Sequence, residues 1–318
     1  MILTITLNPS VDIRYTLDSF RTGTVNRVEH VSKTAGGKGL NVARVLRQLG
    51  EPVAVSGFLG GELGAYIRSE IAQLGIRDAF VPIRGRTRNC IAILHQGLQT
   101  EILESGPVIE KSEQERFLRC FSEYSVKSKV ITISGSLPKG VPERFYEQLL
   151  DKARGVPVLL DTKGSLLKKV LASGKKPYLI KPNQDELNDM LGTGLDSLSR
   201  LTGALKSPLL AGVPWIVVTL GEKGAVIKHK GVFYRAKVPR IEPKNPVGSG
   251  DSVIAGFAAG MARGFDGERL IRFSLSMGVL NAMEEKTGYI DPRKLNGCMK
   301  EIRIETVHEG LADEEGNR

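Results

Sequence analysis

A chain of 318 residues, 41% apolar and 25% charged, is long enough to bury the core of one large α/β domain with a small addition. Forty-five Lys and Arg against 35 Asp and Glu give a net charge of +10, which suits anionic small molecules; the bases are scattered and aromatics are only 6%, so the composition argues against a nucleic-acid surface. Cys90, Cys120 and Cys298 are far apart and odd in number, forming neither a disulfide framework nor a zinc knuckle, and no apolar run approaches the roughly 20 residues of a membrane span, so a cytoplasmic protein is expected.

In chain order, Leu3 to Leu7 reads as a buried first strand that stops at Asn8-Pro9; without a basic region before it, it does not read as a signal peptide. Val11, Ile13, Tyr15 and Leu17 alternate with Asp12, Arg14, Thr16 and Asp18, the pattern of a half-exposed strand. A further strand is expected over Val25 to Val31, and a hairpin over Cys90 to Leu94 and Thr100 to Leu103 around Gly97. These pieces stand outside any strand–helix alternation. They predict a separate small sheet, a lid drawn from residues 11–34 and 87–105, whose remaining apolar face would pack on a second copy of the chain as a homodimer.

The rest alternates. Strands are expected at Val53 to Phe58, Lys129 to Ser134, Val156 to Asp161, Tyr178 to Lys181 and Trp215 to Leu220. Helical patterns run over Leu40 to Leu49, Ala65 to Leu74, Ser112 to Tyr124, Pro142 to Lys152, Ser165 to Leu171 and Asp185 to Leu191. Such repetition predicts a mainly parallel sheet covered on both faces, with ligands at the carboxyl ends of its strands. One domain over 1–308 is expected, followed by a polar, frayed tail over 309–318.

Two glycine-rich turns precede helices. Asn245-Pro246-Val247-Gly248-Ser249-Gly250-Asp251 joins the β-prone run Val232 to Val238 to a helix with Val253, Ile254, Phe257, Ala258 and Met261 on one face. Bare N–H groups and the dipole at a helix N-terminus favour an anion. Asp251 then has two readings: an N-terminal cap, or a carboxylate that takes the proton of a hydroxyl attacking a phosphoryl group held by the amides of Gly248, Ser249 and Gly250. The turn is no dinucleotide fingerprint, because the third glycine would be Val253. The other turn, Ala35-Gly36-Gly37-Lys38-Gly39-Leu40-Asn41, is no Walker motif, which would need Gly at Ser32 and Ser or Thr at Gly39. It is a place where a ligand approaches the backbone with Lys38 and Asn41 facing it, or else a plain turn with a solvated lysine. His30, His95, His229 and His308 have neither metal spacing nor a serine partner arrangement.

Taken together, Gly36-Gly37-Lys38-Gly39-Leu40-Asn41, Lys181-Pro182-Asn183-Gln184-Asp185-Glu186, Thr219-Leu220-Gly221-Glu222-Lys223-Gly224 and Gly248-Ser249-Gly250-Asp251 resemble the ribokinase/PfkB family of carbohydrate kinases, in order from Thr4 to about Met299. Asn8-Pro9-Ser10-Val11-Asp12, Thr24-Val25-Asn26-Arg27-Val28, Gln99-Thr100-Glu101-Ile102-Leu103-Glu104 and the 245–251 turn are similar to the tagatose-6-phosphate kinase branch. The resemblance implies a ribokinase-like α/β fold with a β lid, ATP and Mg²⁺ as cofactors, and phosphorylation of D-tagatose 6-phosphate to the 1,6-bisphosphate. A 1- or 6-phosphofructokinase of the same family, or a non-catalytic sugar-phosphate sensor, are the alternatives.

Residue by residue, the resemblance implies Asp251 as the base and Gly248, Ser249 and Gly250 as the anion hole. Asp12, Gly37 and Asn41 would hold the sugar. Arg88 and Arg27, with Lys38 and Ser136, would meet the phosphate the sugar already carries, since arginine's planar fork suits phosphate oxygens. Lys181, Asn183, Thr219, Gly221 and Gly224 would line the nucleotide groove, with Asn281 near the adenine. Glu186 would organise Mg²⁺ through water, although Asn183 to Glu186 also reads as a helix-capping pair.

Overall fold

The structure, a computed structural model, describes residues 1–192 and 194–307. The tail expected over 309–318, and His308, lie outside the described residues.

Across the large sheet the strand order is Arg303–Val307, Val232–Lys237, Ala225–His229, Trp215–Thr219, Leu179–Ile180, Val158–Asp161, Val130–Ser134, Ile2–Thr6, Val53–Leu59 and Arg77–Asp78. Strands from Trp215–Thr219 to Arg77–Asp78 are mutually parallel, and the last three at the other edge are antiparallel. Every residue of Ile2–Thr6 and Val53–Leu59 is buried, as strands covered on both faces require. Successive side chains serve different cores. Ile2, Val53 and Val55 pack under the helices Lys38–Gln48, Ser249–Ala262 and Gly267–Ala282, while Leu3, Ile5 and Phe58 pack under Lys111–Ser125 and Phe145–Lys152. Fully burying each such Leu, Ile or Phe is worth about 1.5–3 kcal/mol.

The chain leaves Ile2–Thr6 for Val53–Leu59 on one side and later returns to Val130–Ser134 on the other. A crevice therefore opens beyond the carboxyl end of Ile2–Thr6, where an α/β sheet reverses its strand order.

Over this crevice stands the smaller sheet, in the order His30–Gly36, Ser10–Leu17, Arg88–His95, Leu98–Leu103. Its hairpin turns through Gln96 and Gly97, with φ of 49° and 73°, the left-handed pair of a tight two-residue turn. The strand expected over Val25 to Val31 is shifted. Asn26 closes a loop instead, accepting from the Arg21 amide at 3.0 Å and donating to the Arg21 carbonyl at 2.7 Å. The true strand, His30–Gly36, pairs antiparallel with Ser10–Leu17 and runs directly into the first glycine turn. Local β propensity at Val25 and Val28 lost to the pairing partner.

No helix among the described residues is long and apolar enough to cross a membrane.

Candidate active site

At the base of the crevice, helix Ser249–Ala262 starts after Gly248, whose φ of 83° is the left-handed conformation that favours glycine. A Cβ there would also meet Thr287 Cγ2 at 2.5 Å. No side chain caps this helix, so the capping reading of Asp251 falls. Asp251 is 6% exposed, and its Oδ2 accepts from Asn41 Nδ2 at 2.8 Å. The Ser249 amide donates to the Pro246 carbonyl at 3.2 Å, which removes it from the expected anion hole. Among the described residues the amides of Gly248, Gly250 and Asp251 have no hydrogen-bond partner.

Burial pushes the Asp251 carboxyl up to about 6, aided by the charge of Asp161 and opposed by Lys38, the Asn41 hydrogen bond and Lys181. Asp161 was not among the residues the sequence singled out. It ends the buried strand Val158–Asp161, is 2% exposed, and stands between Lys38 Nζ and Lys181 Nζ, each 3.5 Å from one of its oxygens. Neither oxygen makes an aligned hydrogen bond among the described residues. Its position at the carboxyl end of a parallel strand was the available signal. For Lys38, burial pulls the ammonium down, but Asp161, Asp251 and Glu186 outweigh it and leave its pKa raised.

Toward the lid, Asp12 lines the crevice and accepts from Ser10 Oγ at 2.7 Å. Burial raises its pKa against that bond and the charges of Arg44 and Arg88. Gly36 packs on it so tightly that a Cβ would fall 2.0 Å from Asp12 Oδ1. Gly37, with φ of 109°, Lys38, Asn41 and Ser136 line the same space, as does half-buried Cys90. Arg88 reaches it too, but its terminal nitrogens donate to the carbonyls of Glu104 at 2.8 Å and Asn8 at 3.1 Å. Arg88 Nε and Asn8 Oδ1 are buried without hydrogen-bond partners among the described residues, a donor and an acceptor available to a polar ligand. Arg27 is not brought to the site: it sits exposed in the loop before His30–Gly36 and lines no part of the crevice.

On another part of the wall, Lys181 is 5% exposed and close enough to the 245–251 turn that a Cβ on Gly250 would meet its Nζ at 3.1 Å. Asn183 and Glu186 do form a reciprocal cap: Glu186 N donates to Asn183 Oδ1 at 2.7 Å, and Asn183 N to Glu186 Oε2 at 2.9 Å. Both still line the crevice, together with Thr219, Gly221 and Gly224. Gly224 has a packing reason as well, since a Cβ would lie 2.0 Å from the Ala236 carbonyl. Asn281 is elsewhere. Fully buried, it donates to the Val247 carbonyl at 3.0 Å and accepts from Gly288 N at 2.8 Å, so it braces the 245–251 turn and does not itself line the crevice.

The whole crevice encloses about 1040 Å³, at the upper end of the range for small-molecule sites, and Gly248, Gly250 and Asp251 are among the residues that line it. Among the described residues no three His, Cys, Asp or Glu converge to hold a metal ion directly. Half-buried Glu186 on the crevice wall fits a Mg²⁺ ion that keeps most of its water, since this ion dehydrates reluctantly.

Known proteins share this fold. The model of pfkB family carbohydrate kinases matches residues 5–293. A Staphylococcus aureus protein provisionally assigned as a phosphofructokinase is 30% identical, aligned over 96% of this chain and 99% of its own, with a TM-score of 0.82. Phosphofructokinase-2 of Escherichia coli, solved in complex with potassium, is 25% identical over 94% of this chain and 98% of its own, with a TM-score of 0.86. A provisionally assigned 1-phosphofructokinase of Thermotoga maritima is 25% identical over 96% and 99%, with a TM-score of 0.87. A parallel sheet with a β lid, a glycine turn that delivers a buried aspartate to its floor, and a family match across nine-tenths of the sequence lead to one assignment: this chain belongs to the pfkB family of carbohydrate kinases.

Proposed function

We propose that this chain transfers the γ-phosphoryl group of ATP to the 1-hydroxyl of a ketohexose phosphate, D-tagatose 6-phosphate, giving D-tagatose 1,6-bisphosphate and ADP. The observation that carries this reading is Asp251, buried beside unpartnered amides in a crevice whose lining takes in both the lid residues Asp12 and Arg88 and the strand-end residues Lys181 and Thr219. Asp251 takes the proton of the sugar hydroxyl as its oxygen bonds to the γ-phosphorus, and the bond to the bridging oxygen of ADP breaks with its electron pair going to that oxygen. The Gly248 and Gly250 amides, with that of Asp251, face the charge on the transferred group. Lys38 and Lys181 flank the same point from the sugar and nucleotide ends. Glu186 would hold Mg²⁺ through water, and the ion when bound neutralises charge on the nucleotide phosphates.

Asp12, Gly37 and Asn41 would orient the sugar, and Lys38, Ser136 and Arg88 would meet its phosphate, Arg88 by exchanging carbonyl partners for phosphate oxygens. Lys181, Asn183, Thr219, Gly221 and Gly224 would take the nucleotide. Closing the lid would exclude water, the competing phosphoryl acceptor. The outer face of the lid exposes Val31, Leu98 and Ile102, which supports a homodimer formed lid to lid, and the composition supports a cytoplasmic setting.

The names of the three relatives favour a second reading, phosphorylation of fructose 6-phosphate or fructose 1-phosphate. Tagatose and fructose differ at one stereocentre, so one hydrogen bond decides between them. ADP release with Mg·ATP and each of the three sugar phosphates tests both. A kcat/KM highest for tagatose 6-phosphate is expected; preference for a fructose phosphate replaces the substrate, and silence with all three overturns the kinase reading.

A further inference from the structure

Arg44 lies one helical turn beyond Asn41 on Lys38–Gln48 and is 6% exposed. Its guanidinium donates to three neutral oxygens: Asn41 Oδ1 at 2.9 Å, the Thr287 carbonyl at 3.0 Å, and the Ala35 carbonyl. Burial lowers its pKa, with Tyr289, Asp12, Asp251 and Glu70 opposing. A buried cation held by neutral acceptors is costly to desolvate, so its presence calls for a reason. Space is made for it as well: Gly288 has φ of 74°, and a Cβ there would meet Arg44 Nη1 at 2.8 Å.

The reason lies in what Arg44 does to its neighbour. The two ends of an asparagine amide are nearly equal in shape and opposite in function, one accepting and one donating. With Arg44 Nη1 on Asn41 Oδ1, the amide nitrogen must point the other way, and there it donates to Asp251 Oδ2 at 2.8 Å. A flipped amide would set Oδ1 against a carboxylate oxygen and its NH₂ against a guanidinium, two repulsive contacts in a water-poor site. The same Arg44 nitrogen holds Thr287, whose Oγ1 accepts from Asn245 Nδ2 at 3.2 Å at the start of the catalytic turn.

We propose that Arg44 is a positioning residue that locks the orientation of Asn41 so that a donor, never an acceptor, faces Asp251. The chain Arg44 to Asn41 to Asp251 fixes the carboxylate's rotamer and favours its ionised form against Asp161, in concert with Lys38 and Lys181. This rests on the reading of Asp251 as the base.

A mutant cycle on kcat, with Mg·ATP and the best of the three sugar phosphates, tests it. Arg44→Met and Asn41→Ala are each expected to lower kcat by about tenfold to a hundredfold, the range for a hydrogen bond to a charged group. The double variant should be no slower than Asn41→Ala alone, and the acid limb of the pH profile should move upward in all three. Multiplicative losses, an unmoved acid limb or a wild-type kcat for Arg44→Met overturns the proposal. If thermal melting shows Arg44→Met unfolded, Arg44→Lys runs the same cycle, because its ammonium keeps the charge without the fork; equal effects of that substitution with and without Asn41 overturn the proposal too. Full turnover by Asp251→Asn would instead remove the base, whereas an inactive Asp251→Asn with additive losses at Arg44 and Asn41 removes this inference alone.

Discussion

Every residue of Ile2–Thr6 and Val53–Leu59 is buried, whereas Ser10–Leu17 buries only its first two residues and Leu98–Leu103 buries none. The first pair belongs to the sheet that carries the floor of the crevice and the second to its cover, and the contrast is one of packing. Asp161, Lys181 and Asp251 lie on or directly after elements of the packed core and are each less than a tenth exposed. Asp12 stands at the junction, on a lid strand but locked by Ser10 and Gly36. Beyond it the lid has one face on the crevice and an outer face bearing Leu98 at 62% and Ile102 at 53% exposure. A rigid floor suits proton transfer, and a lightly anchored cover suits substrate entry.

If floor and cover differ in this way, damage to them should differ in kind. Asp251→Asn on the floor should lower kcat by about 10²–10⁴ with little change in either KM, the usual contribution of a general base, measured by ADP release. It should also stabilise the fold at neutral pH. The folded pKa of Asp251, about 6, lies above its ordinary 3.8, so its stabilising contribution is complete below 3.8 and is lost as pH rises through 6. Two pKa units correspond to about 3 kcal/mol, an upper bound on the gain of the variant at pH 7.5, and melting curves should show that gain vanish by pH 4.

At the junction, Gly36→Ala should displace Asp12 and raise KM for the sugar by about tenfold to a hundredfold, the loss of a hydrogen bond to a charged group, leaving KM for ATP unchanged. An equal rise in both would place Asp12 outside the sugar end. The wild-type pH profile gives a smaller effect within the working range: kcat/KM should fall about tenfold per unit below pH 6, where Asp251 takes up its proton. The slightest change in chemistry belongs to the cover. Ile102→Asp should convert a dimer to monomers in sedimentation while the melting temperature shifts little, since this side chain buries little within its own chain.

Much of the floor was legible in the chain. The strand–helix alternation, the turn over 245–251 and the capping pair Asn183 and Glu186 are local patterns, each written within a dozen residues and dictated by short-range geometry. The lid was half legible: alternation from Val11 to Asp18 marked the strand Ser10–Leu17, and Gly97 marked the hairpin. The His30–Gly36 strand was misplaced because its identity depends on a partner, not on its own propensity.

What the sequence by itself determined is the family, the parallel architecture, and the glycine turn that carries Asp251 into a helix, because backbone conformation at glycine turns and burial on alternate faces follow from residue type. What only the tertiary structure decided is the company Asp251 keeps. Asn41 lies 210 positions away from it, and Arg44 lies 243 positions from Thr287. The same folding exposed Arg27 in a loop, turned Asn281 into a brace for the 245–251 turn, and brought Asp161 between two lysines from separate segments. Charge and hydrogen bonding act through space, with burial setting their strength, and a linear pattern carries neither the distances nor the local dielectric.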